Sequence, residues 1–274
     1  MNYKRMILIP IPLLILCTIY LIFLVQSNQI SLDIDFKGGT QIILESNKQT
    51  SQTDLESVLK QYDANVRVAR GLTTYSVIID FDNAIKPDDI FNTLIQNGYD
   101  FKDFSVQTVG ASLGADFFQQ ALIVLSISFV LMAITIFIMF RNPLPSLYLI
   151  LTVIADLIET LAIMQIVGIK LSLATFAALL LLIGGAVGDN VLFTTRVLKS
   201  GKKNYDEIVK KTLKTGITLV GTTMAALVAL LLVSGSTVIF QIASVLLIGM
   251  ALDLMNSWVL NLGLLMWYVT RKIK

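Results

Sequence analysis

Long apolar runs, each about as long as a bilayer is thick, recur along this chain and leave few folds open to it. A spanning helix needs about 20 mostly apolar residues. The runs are Met6–Val25, Phe117–Phe140, Leu144–Val167, Leu171–Thr194, Thr215–Ser234 and Val238–Tyr268. The last exceeds what a membrane requires and predicts a helix that tilts or protrudes. The composition agrees: 55% hydrophobic and 15% charged, against about 45–50% and about 25% in a soluble domain. The first run follows Lys4 and Arg5. It is too long for a usual signal peptide core, and Gln26, Ser27, Asn28 and Gln29 follow it instead of a small-residue cleavage site, so it reads as a retained helix.

The expected architecture is therefore a six-span helical membrane bundle. Lys and Arg in short loops set its orientation. Lys4, Arg5, Arg141, Arg196, Lys199, Lys202, Lys203, Lys210, Lys211, Lys214, Arg271, Lys272 and Lys274 all fall on one side, which should be the cytosol. The opposite short loops carry only Lys170. Segment 26–116, with 13 acidic and 7 basic residues for a net charge of −6, falls outside. The divisions are residues 1–29 (cytosolic N-terminus and first span), 30–116 (extracytosolic domain) and 117–274. The last is a five-helix bundle with a basic cytosolic loop at 196–214 and a cytosolic C-terminus.

The segment between the first two spans alternates strand-like and helix-like stretches. Thr40–Glu45 is β-rich, and Thr53–Gln61 has the helical pattern with Thr53 as its cap. Asn65–Ala69 and Tyr75–Phe81 read as strands joined near Gly71, and Pro87 opens a helix through Leu94. Phe104–Val109 reads as a last strand. This order predicts an inserted α+β domain of the ferredoxin-like, split β-α-β kind. It carries no catalytic constellation, and its acids read as a solvated face.

No histidine occurs, which excludes imidazole chemistry, and the single Cys17 excludes a disulfide within the chain. No metal, cofactor, nucleotide or nucleic acid is expected, and the chain reads as a non-enzyme. What stands out is charge within the apolar runs: Asp156 and Glu159 in the third, Asp189 in the fourth, Asp253 with Asn256 in the sixth. A carboxylate at the bilayer centre costs about 2.5–3.5 kcal/mol on insertion scales, and such groups mark proton or ion routes. Asp156 and Glu159 share a helix face, and Asp189 and Arg196 lie two turns apart. Two readings follow: the acids relay protons, or they are hydrogen-bonded in place and fix helix register. Gly184, Gly185 and Gly188 form a GxxxG-type packing surface. Thr222 and Thr223, beside Gly221, give the fifth span a small hydroxyl-bearing face.

Taken together these stretches resemble SecF, a family of protein-export membrane proteins that works with SecD beside the Sec translocon, in its archaeal form. The similarity rests on Asp35-Phe36-Lys37-Gly38-Gly39-Thr40 after the first span and Gly110-Ala111-Ser112-Leu113-Gly114 before the second. It rests further on Asp156, the Gly184–Arg196 segment, Lys214-Thr215-Gly216 with Gly221-Thr222-Thr223, and Asp253–Trp258. Asp33, Ala111, the Gly185-Ala186 pair and Lys214 depart from the family pattern. The resemblance implies an RND-like helper of protein translocation driven by the proton motive force. SecD, the translocon channel, the translocating preprotein and membrane lipid would be its partners. Asp189 would be the central carrier, Asp156 and Asp253 supporting acids, Lys214 a charge partner in a role bacterial relatives give to arginine, and Thr222, Thr223 and Asn256 hydrogen-bonding elements. The rivals are one half of an RND-like exporter of small molecules or lipids, and a passive scaffold for the translocon.

Overall fold

The computed structural model describes residues 9–46, 50–70, 75–101, 103–199, 205–234 and 236–272. Lys4, Arg5, the turn at Gly71, Lys202, Lys203 and Lys274, and the side chains of Lys199, Arg271 and Lys272, lie outside that description. The first helix, α1 (Pro10–Gln26), opens on proline, whose missing N–H costs nothing at a helix start, and ends at Ser27. A four-residue helix α2 (Ile34–Lys37) follows, capped by the Asp33 side chain. Then come β1 (Gly39–Ser46), α3 (Gln52–Val58), β2 (Asn65–Arg70), β3 (Tyr75–Phe81), α4 (Pro87–Gln96) and β4 (Asp103–Val109). The long helices are α5 (Ala111–Phe140), α6 (Pro143–Val167), α7 (Leu173–Lys199), α8 (Tyr205–Val233), α9 (Thr237–Met255) and α10 (Leu262–Lys272). A π-helical turn at Asn256–Asn261 joins the last two into one continuous rod.

Among the described residues, five helical stretches are long and apolar enough to cross a membrane: 111–140, 143–167, 173–198, 207–233 and 237–269. α1 is apolar but shorter, at 17 residues. The expected helix cap at Thr53 is not used: α3 starts one residue earlier, after Ser51, without a side-chain cap. The short α2 went unseen because four residues are too few to show a helical period.

The four strands form one antiparallel sheet in the order β2-β3-β1-β4. β1 and β2 are parallel neighbours split by β3, which is inserted between them. Alternation sends Ile42, Leu44, Val66, Val77, Ile79 and Phe81 to one face, where Leu55, Leu59, Ile90 and Leu94 of α3 and α4 complete a core with no more than 5% exposure. Burying each such side chain stabilises the domain by about 1.5–3 kcal/mol. The other face carries Gln41, Arg67, Ile78 and Asp80. It lies toward the long helices.

The joint between sheet and bundle is built from the glycine motifs. Gly38 and Gly39 both have positive φ, at 78° and 133°. A Cβ on Gly38 would stand 2.6 Å from the Ala111 Cα, and one on Gly114 would stand 2.7 Å from the Gly38 amide nitrogen. Two backbones therefore cross in near contact, which only glycine permits. Phe36 then seats between Phe118 of α5 and Phe176 of α7, with ring centroids 5.5 and 6.3 Å away. Thr40 fastens the start of β1 by donating to Asn83 Oδ1 at 2.7 Å, and Asn83 donates to the Val109 carbonyl at 2.8 Å.

Gly38 and Gly98 separate backbone strain from close approach. Both have positive φ, but nothing lies within 4 Å of a Cβ at Gly98. Gly98→Ala should cost only the left-handed strain of about 1–2 kcal/mol. Gly38→Ala should add an overpacking cost of about 1–3 kcal/mol. Thermal unfolding of the purified variants measures the difference; equal losses would mean that the crossing yields without cost.

Candidate functional site

The apolar bundle encloses a chain of hydrogen-bonded polar groups. α6 presents Asp156 and Glu159 on one face, both fully buried. The Asn256 amide reaches both, donating to Asp156 Oδ1 at 2.9 Å and to Glu159 Oε2 at 2.8 Å. Asp253 accepts from Ser257 Oγ at 2.8 Å and from Asn190 Nδ2 of α7 at 3.4 Å. Asn261 Nδ2 donates to Asn190 Oδ1 at 2.7 Å and lies 3.4 Å from Thr194 Oγ1. The Asp156 and Asp253 carboxyls are within hydrogen-bonding reach of each other, so the network is continuous from Glu159 to Thr194.

The π-turn makes this possible. In a regular helix Asn256 and Asn261 would sit about 140° apart around the axis. A wider i→i+5 turn closes that angle, and both amides point into the bundle with 0% exposure. Without water, each buried polar group must find a protein partner or carry a cost of about 1–3 kcal/mol. Asp156 Oδ2, Glu159 Oε1, Asn256 Oδ1 and Asn261 Oδ1 find none. A carboxylate oxygen only accepts, whereas a protonated one also donates. Adding or removing one proton therefore changes which bonds this network can make.

Asp189, half-buried on α7, stands at the edge of the network. It lines a crevice between α7, α8 and α9 together with Asp253, Thr212, Ser257 and Trp258. The fully buried pair is Asp156 with Asp253, not Asp189. Arg196 is half-buried two turns along α7. Lys214, Thr222 and Thr223 are exposed on α8 and do not reach the acids. Both threonine hydroxyls donate to their own helix at the Leu219 carbonyl, at 2.8 and 3.1 Å. Gly184, Gly185 and Gly188 face open space. The glycines at helix contacts are instead Gly216, where a Cβ would overlap the Trp258 ring, and Gly249, where it would overlap Leu182. Sequence reasoning passed over Asn190, Thr194, Ser257 and Asn261. Their signal was available: amides and hydroxyls inside apolar runs, spaced one turn apart at 190/194 and 257/261.

A second polar centre lies where the sheet meets the bundle. Asp80 on β3 accepts from Gln41 Nε2 at 2.7 Å, from Arg67 Nη2 at 2.9 Å and from Lys170 Nζ at 2.5 Å. Lys170, in the loop between α6 and α7, also donates to Asn65 Oδ1 at 3.0 Å. Burial works to raise the Asp80 pKa, but Arg67 and Lys170 together overcome it and hold the carboxyl below the ordinary aspartate range. Asp33, 3.4 Å from Arg67, is pushed upward by burial and then by the Asp80 charge. Asp35 accepts from the Leu173 amide at the start of α7 at 3.0 Å and from Gln107 Nε2 of β4 at 3.1 Å. The backbone joins in, with Asp33 N donating to Leu171 O at 2.9 Å and Leu171 N to Ser31 O at 2.8 Å. Gly110 accepts from the Gly114 amide in the first turn of α5 at 2.9 Å.

Residues 90–271 match the family model described as protein export membrane protein SecD/SecF, C-terminal. The chain is 37% identical to the protein-export membrane protein SecF of Methanocaldococcus jannaschii over 98% of its own length and 96% of that protein. It is 36% identical to the SecF of Methanolacinia petrolearia over 98% and 94%. Among solved structures it is similar to SecDF, a translocon-associated membrane protein from Thermus thermophilus. That match has a TM-score of 0.80 at 18% identity and covers 98% of this chain and 38% of that one.

Two outcomes test this geometry. Asn256→Leu strips the shared donor from Asp156 and Glu159, and should lower stability by about 1–3 kcal/mol for each carboxyl left bare, read from chemical unfolding in detergent. The Asp80 carboxyl, lowered in the folded state, contributes stability above its unfolded pKa of about 3.9. That contribution is lost as pH falls through the folded value. Lys170→Met removes one of the two cations, so the acid-side loss of melting temperature should begin at higher pH. An unmoved acid limb would assign the whole effect to Arg67.

Proposed function

The chain belongs to the SecF family of protein-export membrane proteins, and on that premise we propose that it is an auxiliary subunit of the Sec translocase that couples proton passage to movement of its α/β domain. It works with SecD beside the translocon channel, in the cell membrane. α1 completes a set of six spans, both termini are cytosolic, and the ferredoxin-like segment at about 30–116 faces outside, where it meets the emerging preprotein. The charge asymmetry of the loops supports this orientation. The sheet order β2-β3-β1-β4 supports the ferredoxin-like reading.

The observation that carries the proposal is the unbroken line of polar side chains through an otherwise apolar bundle. A proton driven inward reaches the Asp253–Asp156 pair and leaves toward the cytosol by the crevice at Asp189, which lies on the same half of the bundle as Thr212 and Gly216. Two carboxyl groups that close cannot both stay ionised cheaply, so the pair holds one proton and passes it on. The weight of the relay therefore rests on Asp156 and Asp253, with Asp189 as the access group. Asn256 re-pairs with whichever carboxylate is left charged, which shifts α9 against α6. Helix α6 runs directly into Lys170 and Leu171, so that shift is delivered to the sheet through Asp80 and Asp33. Lys214, Thr222 and Thr223 lie on an exposed face suited to partner contact, not to the relay.

In vesicles containing SecD, the translocon and this chain, Asp156→Asn and Asp253→Asn should each reduce gradient-stimulated export to the level seen without the chain. Asp189→Asn should leave a reduced but measurable stimulation. Full stimulation in the Asp156 and Asp253 variants would leave only a scaffold. In a Cys17→Ser background, Asp63→Cys should label from outside intact cells and Asn142→Cys only after permeabilisation; the reverse would invert the topology.

A further inference from the structure

Beneath the sheet lies a cavity of about 610 Å³ that shares only Arg67 with the second polar centre. Its roof includes Arg67 of β2 and Thr237 at the start of α9, and its walls include Ile169, Phe240, Leu247 and Ile248. Leu247 lies ten residues beyond Thr237, so the apolar wall runs roughly 15 Å down the helix axis at about 1.5 Å per residue. The walls are mostly apolar along α9, interrupted by Gln241 and Ser244, and end on Leu247 and Ile248 at the far end from Arg67 and Thr237.

Two observations at the end with Arg67 and Thr237 point to a ligand. Arg67 Nε and Thr237 Oγ1 are both buried, and neither has a hydrogen-bond partner. Thr237 is only 8% exposed. The other face of the Arg67 guanidinium is already engaged, since Nη2 binds Asp80 and Asp33. A buried donor left unmade is costly, and both of these side chains belong to residues that line the one cavity. They call for an acceptor-rich group, and the walls below call for an alkyl chain.

We propose that this cavity binds a membrane phospholipid, with a phosphate oxygen on Arg67 Nε and Thr237 Oγ1 and an acyl chain along α9. Basic pockets between spanning helices hold lipid headgroups in this way. The cluster behind Arg67 balances two acids against two bases, Asp33 and Asp80 against Arg67 and Lys170. Recognition therefore rests on hydrogen bonds to phosphate, not on a net positive field. Phosphatidylcholine and phosphatidylglycerol should bind alike, and diacylglycerol, which lacks the phosphate, should not.

Native mass spectrometry of the purified full chain, titrated with these three lipids at matched acyl chains, tests the assignment. Both phospholipids should be retained equally and diacylglycerol about a hundredfold less or not at all, the ratio expected for two lost hydrogen bonds to a charged group. Thr237→Val should weaken phospholipid retention about tenfold, and Ser244→Phe, which fills the groove, should abolish it. Thr237→Val keeps the side-chain shape and serves if Ser244→Phe does not fold. Diacylglycerol bound as tightly as phospholipid, or phospholipid retention untouched by either substitution, would overturn the proposal. Retention of a hydrophobic signal-sequence peptide that Ser244→Phe abolishes, with phospholipid unaffected, would assign the cavity to a polypeptide instead.

Discussion

Hydrocarbon offers no hydrogen bonds, and a polar side chain inside this bundle must therefore be answered by another side chain or by a backbone carbonyl, or carry the cost of an unmade bond. That rule fixes more of the structure than apolar packing does. Leucines and isoleucines tolerate many helix rotations; Asn256 tolerates one, because its amide must meet Asp156 and Glu159 together. The same demand explains the irregular turn at 256–261. A regular helix would aim either Asn256 or Asn261 away from the interior, and an unpaired amide in lipid costs several kcal/mol.

The same reasoning holds at the upper centre, where the partners are ionic. Asp80 is 2% exposed and would be costly if bare. It is tolerated because Gln41, Arg67 and Lys170 all donate to it. Three of the four groups come from the sheet and one from the loop between α6 and α7, so satisfying one buried charge also docks one domain on the other. The two centres thus share a helix: α6 supplies acids to the first and leads into the cation of the second.

Much of this was legible beforehand. The spans announce themselves by length, and four of the five long helices keep a sequence boundary to within one residue at one end or both. The strands follow from β-branched runs bounded by turn residues, and the glycine motif around Gly38 correctly signals a tight crossing. The site was harder to read. Carboxylates inside apolar runs are conspicuous, and Asp156 and Asp253 do meet. Which acid is central depends on helix rotation, and single-sequence patterns carry no information about rotation between helices. For that reason Asp189, read as central, lies at the edge of the network, and Lys214 with Thr222 and Thr223 lies on an outer face. The GxxxG pattern at Gly184 and Gly188 fails for a related reason. A small-residue stripe says that a backbone can be approached, not that this chain approaches it. Gly216 and Gly249, with no motif around them, hold the close contacts.

The crossing of Gly38 with Ala111 and Gly114 has a mechanical corollary. The α/β domain is covalently tied to the helices at two places only, the strand entering it after α2 and the strand leaving it for α5. At the crossing those two ties lie within about one atomic diameter of each other. Two attachment points so close together act as a single pivot, which leaves the domain free to swing but not to slide. The charged contact at Lys170, set apart from that pivot, becomes the latch that decides the angle at which it rests.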